Sequence, residues 1–141
     1  MAWPVGTLAP MRIARGLLDE IVAHSREEAP NECCGLVGGR DGAASTVYRA
    51  RNEFASPTRY NVHPQDLIRI VNAIDAAGEE LVAIYHSHTR SEAYPSQTDV
   101  NLAANWPDPV YVICSLMRDE PLVRGFEIRD DAIDEVAIDV E

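Results

Sequence analysis

Two histidines one residue apart, His86 and His88, stand shortly before a serine and an aspartate, Ser96 and Asp99. Strand side chains alternate with period two, so on a strand both imidazoles leave the same face and can converge on one metal ion. Asp99 follows His88 by eleven positions. A loop and the first turn of a helix can return its carboxylate to the strand end within that span. Two imidazoles and one carboxylate form a hard-to-borderline donor set that suits Zn²⁺. Such a set leaves a fourth position for water, which marks a catalytic rather than a structural zinc site. The same residues carry a plainer reading. The two histidines can be one core residue and one solvent residue, and Ser96-x-x-Asp99 is also a helix start in which Ser96 caps the helix and Asp99 favours its positive end. That cap claims the side chain the metal reading needs.

These residues need elements to position them. Leu81–Tyr85 is continuously apolar, as in a central strand covered on both faces, and it leads directly into His86. A loop to Pro95 and a short helix from about Ser96 to Ala104 follow, then a second apolar strand over Val110–Leu116. Upstream, Ile13, Leu17, Leu18, Ile21 and Val22 recur at helical spacing, which predicts a helix over Met11–Glu28 stopped by Pro30. His24 near its end meets a position that mildly favours a cation. Cys33–Gly38 reads as a strand ending in the turn Gly38-Gly39-Arg40-Asp41-Gly42, with Thr46–Arg51 returning. His63-Pro64 opens a second helix with Leu67, Val71 and Ile74 on its buried stripe, and His63 reads as its cap. Phe126/Ile128 and Val136/Ile138/Val140 alternate with polar residues, as edge strands with one wet face do. The order predicts an α/β (α+β) sandwich, a mixed central β-sheet flanked by helices. Residues 1–10 read as an extended lead-in and residues 11–141 as one domain.

Composition narrows the field without naming an activity. At 141 residues the chain is long enough for one domain with a real core. Its formal charge of −11 repels phosphate backbones and anionic lipid, against nucleic-acid and membrane roles. No apolar run approaches the roughly 18 residues of a membrane span, and the first residues lack the pattern of a signal peptide. Three cysteines, Cys33, Cys34 and Cys114, without CxxC spacing read as reduced core thiols in a cytoplasmic protein. Cys33 and Cys34 point to opposite strand faces, so at most one of them can join a site. The H-x-E and P-C-x-x-C of a zinc deaminase are missing.

The ordered set His86-x-His88-x7-Ser96-x2-Asp99 resembles the signature of the JAMM metalloproteases, the MPN+ or Mov34 superfamily. That family also places a glutamate far upstream, and Pro30-Asn31-Glu32-Cys33-Cys34-Gly35 matches its context at Glu32. Taken alone, Glu32 reads as an exposed carboxylate between a helix and a strand. Only the family pattern brings it near histidines more than fifty positions away. The resemblance covers most of the chain and implies a cytidine-deaminase-like architecture for the JAMM/MPN domain. It implies that His86, His88 and Asp99 hold one Zn²⁺ per chain, with a catalytic water as fourth ligand. It further implies Glu32 as general base then acid, and Ser96 as an oxyanion donor.

The loop His88-Thr89-Arg90-Ser91-Glu92-Ala93-Tyr94-Pro95-Ser96 departs from the commonest family form, which has proline after the second histidine. It resembles the stand-alone bacterial subgroup Mec, the CysO-cysteine peptidases. That resemblance implies release of cysteine, in cysteine biosynthesis, from the C-terminal Gly-Gly of a small ubiquitin-like sulfur-carrier protein. Two alternatives stand beside it. One is trimming or isopeptide cleavage of another ubiquitin-like tag. The other is a non-enzyme, an MPN scaffold or a structural zinc-binding domain. Arg59 and Arg90 are candidate contacts for a partner.

Overall fold

A computed structural model describes residues 8–141; of the lead-in expected over 1–10, residues 1–7 lie outside the described residues. The chain enters on β1 (Met11–Ile13) and α1 (Arg15–Glu28), then forms the hairpin β2 (Cys34–Arg40) and β3 (Ala43–Ala50). After a long loop come α2 (Pro64–Ala76), β4 (Glu80–His88), α3 (Gln97–Ala103) and β5 (Val110–Ser115). The chain finishes with β6 (Leu122–Arg129), β7 (Ala132–Val136) and β8 (Ile138–Val140).

The eight strands form one mixed sheet in the order β7-β6-β5-β4-β2-β3-β1-β8. β4 lies between antiparallel β2 and parallel β5, and its side chains are divided between two cores. Ala83 and Tyr85 face α1 with Ile21, Val37 and Val112. Ile84 faces the opposite layer with Ile70 and Ile74 of α2 and Val100 of α3. This is the expected sandwich of a mixed sheet between helices. Pro64 fills the first turn of α2, where its missing N–H leaves nothing unsatisfied. His63 caps that helix as expected, its Nδ1 accepting the Gln65 N–H at 3.2 Å.

Four local readings are corrected. Met11–Ile13 is a strand, not the start of the first helix: Met11 and Ile13 are buried, Arg12 is exposed, and all three pair in parallel with β8. Three residues fit either period, and a partner at the far end of the chain decides. β2 runs on through both glycines to Arg40 with a bulge at Gly38/Gly39, and the turn is Asp41-Gly42, both at positive φ. β6 is an inner strand paired on both sides, and among the described residues the sheet's edges are β7 and β8. His24 is no helix-end cation. It is buried with Nδ1 2.6 Å from the Tyr85 hydroxyl, and desolvation, reinforced by the Arg49 charge, lowers its pKa.

β7 and β8 stand at opposite ends of the strand order, yet a single residue, Ala137, separates them in the chain. The sheet therefore curls until its two ends share one continuous segment. Gly35 marks another close approach. It pairs across the ladder with Tyr85, and a Cβ at this position would collide with the tyrosine ring.

Candidate metal centre

The β2–β4 register sets the site. Cys34 pairs with His86, and the Ser87 N–H donates to the Cys33 carbonyl at 3.2 Å. Continuing that register by two residues puts Glu32 opposite His88. Period two then places Glu32, Cys34 and Leu36 on the face that also carries Ile84, His86 and His88. Glu32, two residues before β2 begins, is thus brought beside the histidines of β4, which removes the sequence separation. The expectation of an exposed Glu32 is corrected, because only 5% of its surface is accessible.

Asp99 arrives from the other side, on the first turn of α3. Its Oδ2 lies 3.1 Å from His86 Nε2 and 3.0 Å from His88 Nε2, and the two nitrogens are 3.1 Å apart. The same oxygen accepts the Ser96 N–H at 2.9 Å, while Ser96 Oγ accepts the Asp99 N–H at 3.1 Å. The capping box and the histidine contacts therefore coexist on one carboxylate; the competition expected between them does not occur. On the opposite side, a Glu32 carboxylate oxygen and one ring nitrogen from each of His86 and His88 lie within 4.8 Å of one another. Two carboxylates thus flank one imidazole pair.

The hydrogen bonding fixes which nitrogens face inward. His88 Nδ1 lies 2.8 Å from the Glu92 carbonyl, which can only accept, so Nδ1 carries a proton and Nε2 is the nitrogen turned toward Asp99. His86 is fully buried and stacks on Tyr60, with ring centroids 4.2 Å apart. Burial lowers the pKa of His86, keeping it neutral. The loop supplying the Glu92 carbonyl is tied down by Thr89 Oγ1 to the Pro30 carbonyl, by Ser115 Oγ to the Ser91 carbonyl, and by the Arg118–Glu92 ion pair.

Two buried polar atoms, Glu32 Oε1 and His86 Nδ1, have no hydrogen-bond partner among the described residues. Fold-stabilising polar groups rarely stay unpaired. His86 Nε2, His88 Nε2 and the shared Asp99 oxygen form a donor set that fits Zn²⁺, and the unpartnered Glu32 oxygen stands beside it. Burial, and secondarily the Asp99 charge, raise the Glu32 pKa to about 8, against the opposing pull of His88.

Sequence reasoning did not find Tyr60, the Glu92 carbonyl or Ser87. Glu92 acts through its main chain, so no residue type could signal it. Tyr60 lines a cleft of about 300 Å³ with Leu67, Leu102, Trp106 and Tyr111. A second cleft of about 260 Å³ is lined by Asn31, Glu32, Arg51 and Asn52. Arg59 stacks over Phe54 on the loop before Tyr60, and Arg90 is exposed. All three cysteines are buried, Cys33 and Cys34 on opposite faces as expected, and desolvation pushes the Cys33 thiol up to about 11, away from the thiolate form.

A profile described as prokaryotic homologs of the JAB domain matches residues 14–128. The chain is 37% identical over 140 residues to the CysO-cysteine peptidase of Mycobacterium tuberculosis, covering 96% of this chain and 94% of that protein. It is 39% identical over 117 residues to the desampylase of Haloferax volcanii, covering 77% and 83%. A solution structure of a protein from Desulfitobacterium hafniense superposes with a TM-score of 0.84 at 32% identity, covering 92% of each chain. A JAB1/MPN domain protein from Archaeoglobus fulgidus shares the fold with a TM-score of 0.63 at 18% identity, covering 92% of this chain and 98% of that one.

Proposed function

The chain belongs to the family of prokaryotic homologs of the JAB domain and is a metallopeptidase of the JAMM type; from that premise we propose that it cuts after the C-terminal Gly-Gly of a ubiquitin-like sulfur carrier and releases cysteine. The observation that carries this reading is the meeting of two inward imidazole nitrogens and one aspartate oxygen within 3.1 Å, beside a buried glutamate with a free oxygen.

In this proposal His86, His88 and Asp99 would hold one Zn²⁺, and the Glu92 carbonyl keeps the His88 Nδ1–H turned away so that Nε2 is left for the metal. Zinc bound there supplies Lewis acidity, polarising a carbonyl oxygen and acidifying water. Glu32 takes a proton from the attacking water at its unpartnered carboxylate oxygen. The water oxygen bonds to the carrier's terminal carbonyl carbon, the C–N bond breaks, and Glu32 returns its proton to the leaving nitrogen. Ser96 Oγ accepts the Asp99 N–H, which leaves its own proton to donate to the developing oxyanion. Tyr60 stacks on His86 and excludes water from that side of the ring.

The match to the CysO-cysteine peptidase over nearly the whole of both chains supports cysteine release. The desampylase relative favours a second reading, in which the same chemistry removes a ubiquitin-like tag from a protein amine. Intact mass spectrometry separates them. A Gly-Gly-terminated ubiquitin-like carrier bearing a C-terminal cysteine is incubated with the zinc-loaded protein, with a chelated control. Loss of one cysteine residue only where zinc is present is the expected result. An intact adduct with zinc bound would reject cysteine release, and cleavage of an isopeptide-linked carrier under the same conditions would establish the second reading.

A further inference from the structure

Glu32 lies outside any strand, in the short segment between the end of α1 and the start of β2. Its own backbone is held from one side only: its N–H donates to the Ser56 carbonyl at 2.9 Å, and its carbonyl accepts from Asn52 Nδ2 at 3.0 Å. Both partners sit on the loop between β3 and α2, an element that carries neither histidine. The tie to the histidines runs through the next residue. The Cys33 N–H donates to Ser87 Oγ at 2.8 Å, and the Ser87 N–H donates to the Cys33 carbonyl. In this last rung of the β2–β4 ladder a side-chain hydroxyl stands where a main-chain carbonyl would ordinarily accept. Ser87 is itself fully buried and stands between the two histidines on β4.

We propose that Ser87 is a positioning residue that fixes the Glu32 carboxylate against His86 and His88 by locking the Cys33 amide to the strand that bears both imidazoles. Glutamate and histidines are then referenced to one rigid element, and the spacing does not depend on the loop. The residue between the histidines lies on the strand face opposite to both imidazoles, so it takes no part in holding a metal between them. What it contributes is an acceptor at one point, in a site too tight for a large side chain. Serine and threonine offer that acceptor; alanine and valine do not. This inference rests on the proposed role of Glu32 and adds to it a device that sets the position of the base.

The test uses the zinc-loaded chain and the carrier–cysteine adduct. Ser87→Ala is expected to lower kcat by about 10²-fold, the scale of loss from a misplacement of about 1 Å, with KM and zinc stoichiometry unchanged. Threonine and valine share one shape and differ in the hydroxyl. Ser87→Thr should therefore retain kcat to within a few-fold where Ser87→Val does not, a comparison that stands even if the alanine variant fails to fold. In a Glu32→Gln background Ser87→Ala should cause no further loss, because the residue acts through the carboxylate. Full kcat in Ser87→Ala, equal rates in the threonine and valine variants, or a loss that adds fully to that of Glu32→Gln would each overturn the proposal. If the wild-type chain releases nothing from any carrier, the functional reading fails, and crystal structures of wild type and Ser87→Val decide the inference independently. A Glu32 carboxylate displaced from the imidazoles in the variant supports it, and an unmoved one overturns it.

Discussion

Asp99 carries two tasks on one oxygen, closing the capping box of α3 and facing both Nε2 atoms of the histidine pair. Removing it should therefore register in two independent measurements. Asp99→Ala is expected to lower zinc occupancy in metal analysis and to cost about 1 kcal/mol of stability through loss of the cap. Full occupancy in that variant would leave the cap as the residue's only role. Ser96→Ala separates the terms differently. Its cap is worth about 1 kcal/mol of stability, while a lost oxyanion donor raises the barrier by roughly 3 kcal/mol, or about 10²-fold in kcat. Paired melting and rate measurements resolve the two; an unchanged kcat would confine Ser96 to capping. At this scale period two and a short return to a helix start let the histidines and Asp99 meet, but those local rules leave the core and capping readings open, and the family resemblance decides between them. Glu32 is legible only by family resemblance. Its proximity depends on a strand register, and composition near residue 32 says nothing of what lies opposite.

The element that positions the site is the β2–β4 pair, and its tightest point is Gly35 under the Tyr85 ring. Gly35→Ala should destabilise the fold by about 1–3 kcal/mol in denaturant unfolding, the usual range for an overpacked core. A neutral result would mean that the tyrosine and its His24 contact shift freely. The loop that lays Tyr60 on His86 is closed by Asp66 on α2. Asp66 accepts the Arg51 N–H at 2.8 Å and the Arg51 guanidinium at 3.0 and 3.1 Å. The Arg51 side chain thereby holds the Asp66 pKa down to about 2, with desolvation opposing. Because the folded value is depressed, the stabilisation is present in full above the unfolded carboxylate value near 4 and is lost as pH falls toward 2. The Tm advantage of wild type over Asp66→Asn should therefore shrink across that window; an advantage independent of pH would contradict the assignment. Element types were readable wherever apolar periodicity ran long, as in α1, α2 and β4. They failed at Met11–Ile13, where three residues fit two periods and the deciding partner lies at the other end of the chain.

At the scale of the whole molecule, the sheet is curled and its two outermost strands are consecutive in sequence. No periodic pattern in residues 132–140 announces this, since alternation marks a strand without naming its neighbour. Deleting residues 137–141 should leave the family-matched region intact in sequence yet lower Tm by several degrees, because β1 loses its β8 partner; an unchanged melt would show that the curl contributes nothing. The pairing also has a mechanical consequence. β1 and β8 lie side by side in parallel, joined from the Met11 N–H to the Ala137 carbonyl and from the Glu141 N–H to the Ile13 carbonyl. A pull applied between the two ends of the chain therefore loads these strands in shear. The rungs must yield together instead of peeling one at a time, so a force drawing the chain out by its termini meets its strongest resistance at the outset, before it reaches the strand that carries the histidines.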